Sequence, residues 1–321
     1  MMQTQGKIAV FAAKVVVTGA CFWYIARQID VREVWSAIRQ LDFRWAVLAV
    51  ALAMLQIPLI ALRWRTILQA LAACNERMTR AAMIAITAIG AFFSQVLPSI
   101  AGEGVRAWFL VRLGARWRDA LASVVIDRGV GAGLLIALGF VILLLPSGLT
   151  ALRGYRTQVI LVYGALLFVG LLALALTPRI VPLLERWRYT RWLAALAADA
   201  HRALLGPTGP AILGLACLVH TLTIAEVWLL GQAQGLALPL PDAAVLFAVM
   251  VGVALVPISI GGWGLRELAV ISLLAAHGVA PEQALLFSVC FGLTMAVGSL
   301  PGALAWLIYS VAPAARTHAR E

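Results

Sequence analysis

Two glycine-rich stretches hold the charged residues whose types and spacing could do chemistry in an otherwise apolar chain. One reads Ser-Gln-Val-Leu-Pro-Ser-Ile-Ala-Gly-Glu-Gly-Val-Arg over residues 94–106, and the other reads Leu-Val-Pro-Ile-Ser-Ile-Gly-Gly-Trp-Gly-Leu-Arg-Glu over residues 255–267. Both contain Gly-x-Gly-x-Arg after a proline. The planar guanidinium group of arginine can donate two parallel hydrogen bonds to a phosphate. The pattern therefore favours recognition of an anionic headgroup.

Ionisable residues inside apolar sequence define the candidate site. Each costs about 2.5 to 3.5 kcal/mol at the centre of a bilayer, so it needs a partner or a wet cavity. The candidate headgroup-binding residues are Arg106, Arg128 and Arg266. The candidate counter-charges that orient them are Glu103, Asp127, Glu226 and Glu267. The positive N-terminal ends of two short helices would add to the attraction for an anion.

A structural role for the same residues is the alternative, and the two roles can coexist. In it, ion pairs pin the broken helices in place. The expected pairs are Glu103 with Arg106, Asp127 with Arg128 or a neighbour, and Glu267 with Arg266. Glu226 shares its helix with Thr223 and His220, and it is either a proton or counter-charge site or a member of a buried hydrogen-bonded pair.

The proline and the glycines of each stretch interrupt an apolar segment. At 1.5 Å per residue, an arm of about 12 residues covers only about 20 Å of a hydrocarbon core about 30 Å thick. We therefore predict two re-entrant helical hairpins, at about residues 81–113 and 243–276, whose broken backbone faces protein or water. The hinge residues are Pro98, Gly102, Gly104, Pro257, Gly261, Gly262 and Gly264.

The composition sets the fold class. With 63% hydrophobic and 12% charged residues, the 321-residue chain carries more apolar surface than a soluble core can bury. We expect one all-α polytopic membrane domain over residues 1–321. Its six predicted full spans lie at about residues 8–26, 45–62, 120–145, 159–176, 210–232 and 283–310.

The arginine distribution orients these spans. Most loop arginines, with Arg63 counted among them, fall on the membrane side that also carries both termini. Because positive charges are concentrated on the cytoplasmic side, both termini are expected in the cytoplasm. We expect the chain to lie in the inner membrane of a bacterium. The two hairpins then enter from opposite sides, as in the inverted repeats of secondary transporters. A chance match is the alternative, because glycine and proline are common in membrane helices.

Several partners and activities are not expected. The net charge of +11 comes mainly from arginines that flank spans, so it indicates topology rather than nucleic-acid binding. The lysines are Lys7 and Lys14, so no Gly-x-x-x-x-Gly-Lys-Ser/Thr loop occurs. No Cys-x-x-Cys pair or catalytic motif occurs either, so we expect no metal, no cofactor and no enzyme activity. Residues 179–205 predict an amphipathic helix on the cytoplasmic surface, or an ordinary connector helix.

The motifs together resemble a known family. Leu-Pro-Ser followed by Gly-Glu-Gly-Val-Arg106, then Asp127-Arg128, then Pro257 and the glycines before Arg266-Glu267, is similar to the lysylphosphatidylglycerol synthase transmembrane family, also called flippase-like domain proteins. The similarity covers about residues 8–311. In the best-known members this module precedes a soluble synthase that aminoacylates phosphatidylglycerol, and the membrane part moves the product lipid across the bilayer.

The resemblance implies lipid translocation by a stand-alone membrane module. Because the sequence ends soon after the last predicted span, aminoacyl transferase activity is not expected. The expected partner is a membrane lipid with an anionic or aminoacylated headgroup, moved by alternating access. Two alternatives stay open. One is an intramembrane lipid-linked glycosyl- or acyl-transferase using Asp30 and Glu33, and the other is a non-transporting partner of a separate lipid-synthesis enzyme.

Overall fold

The computed structural model describes Arg32, Ser36 and residues 38–96, 99–144, 156–255 and 264–317. In these residues the chain forms ten bounded α-helices and no β-strand, so the predicted all-α fold is confirmed. The helices are α1 (Phe43–Ala70), α2 (Arg80–Val96), α3 (Ser99–Arg112), α4 (Trp117–Leu144), α5 (Arg156–Glu185), α6 (Arg191–Leu205), α7 (Gly209–Ala233), α8 (Leu240–Leu255), α9 (Leu265–Ala275) and α10 (Pro281–Thr317).

Five of these helices are long and apolar enough to cross a bilayer. They are α1, α4, α5, α7 and α10, with mean hydropathy between 1.8 and 2.8. Five of the six predicted spans are therefore confirmed, and the chain is a multi-pass membrane protein. The first predicted span, residues 8–26, lies outside the described residues, as do Asp30 and Glu33.

Helix α5 ends later than predicted. It continues through Pro178 and Pro182 to Glu185 instead of ending near Leu176. Beyond Arg179 the sequence is still apolar, because Ile180, Val181, Leu183 and Leu184 follow. The predicted amphipathic segment 179–205 is therefore divided between the end of α5 and the separate helix α6.

Helices α2 and α3 form the first broken pair and pack against each other. With 17 and 14 residues they are about 25 and 21 Å long, so neither alone matches a core about 30 Å thick. A Cβ on Gly102 would overlap Ser94 Oγ and lie 2.5 Å from the Gly90 carbonyl oxygen, so the two backbones touch here. Helix α3 begins at Ser99, so the predicted hinge residues Gly102 and Gly104 lie inside this helix.

Helices α8 and α9 form the second broken pair and also pack against each other. Gly264 precedes α9 with φ of +87°, a left-handed conformation that favours glycine. Its N–H donates to Glu267 Oε2 at 2.6 Å, so the carboxylate caps the start of the helix. Among the predicted hinges, Pro98, Pro257, Gly261 and Gly262 lie outside the described residues.

The chain divides into two compact units, and each holds one broken pair. The α2–α3 unit comprises residues 53–134, 165–222 and those from 296 onward, while the α8–α9 unit comprises residues up to 52, 135–164 and 223–295. Trp64, Met83, Ile86 and Leu110 form the centre of a core in the α2–α3 unit. Phe247, Phe287, Val270 and Leu274 do so in the α8–α9 unit.

Helix α6 buries its apolar face against protein within the α2–α3 unit. Ala203 of α6 shares a core cluster with Ile67, Ile126 and Ile212. Asp199 on the same helix contacts Arg118 and Arg202 at 3.5 and 3.1 Å. Burial raises the pKa of Asp199 above its ordinary value, and this effect outweighs the lowering by the two arginines. Three exposed aromatic residues of this region, Trp187, Tyr189 and Trp192, lie in the turn before α6 and at its start.

Substitution of Gly102 tests the contact between α2 and α3. Gly102→Ala is expected to destabilise the protein by about 1–3 kcal/mol, because the added methyl group forces two backbones apart. Gly104→Ala is the matched control, because no described residue lies within 4 Å of a Cβ there and alanine is favoured over glycine in a helix by about 0.5–1 kcal/mol. Thermal unfolding of the purified protein measures both. Equal unfolding temperatures would contradict the close approach.

Candidate functional site

Asp127 is the centre of a buried ion-pair network in the α2–α3 unit. Its carboxylate on α4 is 1% exposed and accepts hydrogen bonds from two arginines on other helices. Arg63 of α1 donates through Nε at 2.8 Å, and Arg106 of α3 donates through Nη2 at 3.0 Å to the other carboxylate oxygen. One carboxylate therefore connects α1, α3 and α4.

Arg106 is held on three sides. Its Nη1 donates to Glu103 Oε2 at 2.8 Å, while Nη2 donates to Asp127. The guanidinium carbon lies 4.2 Å from the ring centroid of Trp64, whose Nε1 donates to Ser123 Oγ at 3.0 Å. The aliphatic part of the side chain crosses α2 at Gly90, where a Cβ would clash with it. Arg106 is thus a buried, oriented member of the network rather than an accessible one.

Arg128 is the accessible member of the network. Its side chain is 57% exposed and pairs through Nη2 with Glu103, whose side chain is 14% exposed. It lies 11 residues after Trp117, which is about 16 Å along α4. The next residue, Gly129, is exposed, and none of the described residues comes within 4 Å of a Cβ placed there. A ligand group can therefore approach this guanidinium closely along the helix surface.

Among the described residues, the linked side chains do not balance in charge. Arg63, Arg106 and Arg128 contribute three positive charges, and Glu103 and Asp127 contribute two negative charges, which leaves +1. An uncompensated charge at membrane depth is costly, and a bound anion reduces that cost. The network therefore combines a rigid buried part with one exposed guanidinium and an attraction for an anion.

The pairing of Asp127 differs in part from the expectation. The sequence predicts that Asp127 pairs with Arg128 or with a neighbour. Among the described contacts it pairs with Arg63 and Arg106, and not with the adjacent Arg128. Adjacent residues on a helix point in directions about 100° apart, so they do not face each other. The predicted pair of Glu103 with Arg106 is present.

Arg63 is a network residue that sequence reasoning placed wrongly in a cytoplasmic loop. The structure places it inside α1, where it is 6% exposed, because the helix continues to Ala70. A signal was available in the sequence. Trp64, Ile67, Leu68 and Leu71 follow with helical spacing, which indicates that the apolar face extends past the arginine.

Arg266, the candidate arginine of the second glycine-rich stretch, lies in a buried polar cluster of the α8–α9 unit. Arg266 donates to Glu267 Oε1 through Nη2 at 2.7 Å and to Ser288 Oγ through Nε at 3.1 Å. Ser288 in turn donates to Glu267 at 3.0 Å, and the guanidinium lies 5.7 Å from the ring centroid of Phe291. Arg266 is 6% exposed and Glu267 is fully buried. The expected ion pair of Arg266 with Glu267 is present. Glu226, the remaining candidate counter-charge, is fully buried on α7.

Removal of the central carboxylate tests the network. Asp127→Asn is expected to destabilise the protein by about 3–5 kcal/mol, because two buried arginines lose their shared counter-charge. Asp119→Asn is the matched control, because Asp119 lies half-buried in the first turn of the same helix and its interaction with the helix dipole contributes only about 0.3–1 kcal/mol. Denaturation of the purified variants in detergent compares the two. Similar losses in both would contradict the central position of Asp127.

Comparison with known proteins agrees with the sequence motifs. The family profile described as "Lysylphosphatidylglycerol synthase TM region" matches residues 11–302. No curated protein matches the chain. The matched region includes both broken helix pairs and all the charged residues of the two clusters, and it indicates a function related to membrane lipids. The chain therefore belongs to the lysylphosphatidylglycerol synthase transmembrane family.

Proposed function

We propose that this protein translocates an anionic lipid across the bacterial inner membrane, with Arg128 as the residue that first contacts the lipid phosphate. The observation that carries this proposal is the combination of an exposed guanidinium on a spanning helix with a surplus positive charge in the network behind it. A lipid phosphate neutralises that surplus and accepts hydrogen bonds from the planar guanidinium. Membership of a lipid-related family supports the same class of substrate.

The contacts of Glu103 suggest how the headgroup is received and released. Glu103 pairs with Arg128 as well as with Arg106. A phosphate arriving at Arg128 competes with this carboxylate, which can remain bound to Arg106. Glu103 thus orients Arg128 and returns to it after the headgroup leaves. The buried Arg63–Asp127–Arg106 part holds α1, α3 and α4 in place during the exchange.

The transport cycle extends this site to alternating access. In this proposal the α2–α3 and α8–α9 pairs are re-entrant hairpins of opposite orientation, and both chain termini are cytoplasmic. The short lengths of the broken helices and the repeated Gly-x-Gly-x-Arg sequence support it. The protein moves lipid without covalent chemistry, and a separate lipid-synthesis enzyme supplies the substrate.

Replacement of Arg128 tests the proposed headgroup contact. Arg128→Ala is expected to lower the rate of anionic-lipid translocation in proteoliposomes by about tenfold or more, because a charge-assisted hydrogen bond to the phosphate is lost. Arg118→Ala is the control. Arg118 is on the same helix, is 65% exposed and also pairs with one largely buried carboxylate, that of Asp199. Equal rates in both variants at matched protein levels would reject Arg128 as the site.

Replacement of Glu103 is expected to act in the opposite direction on binding. Glu103→Gln removes the carboxylate that competes with the phosphate and raises the surplus charge of the network. The variant should therefore bind the anionic lipid about tenfold more tightly and release it more slowly. Lipid competition in nanodiscs with a fluorescent phosphatidylglycerol measures this affinity. Weaker binding in both Glu103→Gln and Arg128→Ala would contradict the competition between carboxylate and phosphate.

A further inference from the structure

A polar cavity in the α8–α9 unit lies apart from the residues used above. It has a volume of about 320 Å³ and lies where the segment before α1, the end of α7 and the start of α10 come together. This volume is at the lower end of the range of small-molecule sites, which suits a single ring rather than a long ligand. The residues that line it are Ser36, Gln40, Gln234, Ala280, Glu282, Gln283 and Leu286.

Hydrogen bonds hold two walls of this cavity in fixed positions. Gln283 donates through Nε2 to the backbone carbonyl of Gln234 at 3.1 Å. With its amide turned to satisfy its neighbours, Gln234 donates to the backbone carbonyl of Gln283 at 3.0 Å. Beside them, the N–H of Asp42 donates to the carbonyl of Ala233 at 2.8 Å. Fixed walls reduce the entropy cost of binding a ligand.

The residues that line the cavity favour a ligand that forms hydrogen bonds over one that carries negative charge. In a chain with a net charge of +11, none of the described residues that line this cavity is an arginine or a lysine. Amide groups both donate and accept hydrogen bonds, a hydroxyl does the same, and the carboxylate of Glu282 accepts only. Neighbouring hydroxyl groups on a ring complement this set, because each can donate to one side chain and accept from another. A phosphate would instead face Glu282, and no described lining residue supplies a cation to offset the repulsion.

We propose that this cavity binds a neutral polyhydroxylated ring, such as one sugar or cyclitol unit, with Gln40 and Glu282 as its principal polar contacts. Ala280 and Leu286 provide the apolar surface on which the C–H face of such a ring rests. The ring can belong to a free polyol or to the headgroup of a glycolipid, since both offer the same hydroxyl groups. Binding of such a ring does not require the protein to transport lipid.

The experiment uses the full-length protein in nanodiscs of phosphatidylethanolamine and phosphatidylglycerol. Saturation-transfer NMR measures binding of glucose, myo-inositol and glycerol, with choline and inorganic phosphate as charged comparators. A second arm adds a monoglucosyl diacylglycerol to the nanodiscs and measures the unfolding temperature. Binding in the first arm identifies the free polyol as a ligand, and stabilisation in the second arm alone identifies the glycolipid.

Matched variants decide whether the ligand occupies this cavity. Gln40→Ala and Glu282→Gln are expected to weaken polyol binding by about tenfold each, since each removes hydrogen bonds to the ring. Gln69→Ala and Glu185→Gln replace exposed residues of the same types outside the cavity and should bind as the unmodified protein does. The proposal is overturned if neither polyol source binds, if the lining variants weaken choline or phosphate binding more than polyol binding, or if both lining variants keep full affinity for the polyol.

Discussion

The ion pairs of Asp127 are the constraint on which the α2–α3 unit depends. Lipid tails cannot solvate an ionised carboxylate, so its cost at membrane depth has to be offset by partners inside the protein. Arg63 and Arg106 supply those partners from two other helices. The requirement to keep three charged side chains in contact therefore restricts how α1, α3 and α4 can move.

The glycines of α2 and α3 serve this same constraint. Arg106 reaches Asp127 only because its aliphatic part passes over Gly90, and α3 lies close to α2 only because Gly102 has no side chain. Trp64 then covers the guanidinium with its ring and is itself fixed by Ser123. Sequence features that look like flexible hinges thus act in part as close-packing sites.

The two broken helix pairs use similar sequence for different chemistry. In the first pair, the arginine of Gly-x-Gly-x-Arg bridges to a carboxylate on another helix, and the network ends in the exposed Arg128 with a surplus positive charge. In the second pair, Arg266 joins the adjacent Glu267 and Ser288 in a buried cluster, and Glu267 also caps the start of α9. The first cluster is suited to receive an anion, and the second is suited to stabilise an unusual helix start.

The sequence by itself determined the membrane class, five of the described spans, the two interruptions and the family, because each depends on local composition and spacing. It also identified Glu103, Arg106 and Asp127 as charges that need partners. It could not assign those partners, since Arg63 and Asp127 are 64 positions apart and meet only when α1 packs near α4. Nor could it separate the exposed Arg128 from the buried Arg106, because exposure depends on which helix face the neighbouring helices cover. Contacts between distant segments are decided by packing, and only the tertiary structure contains that information.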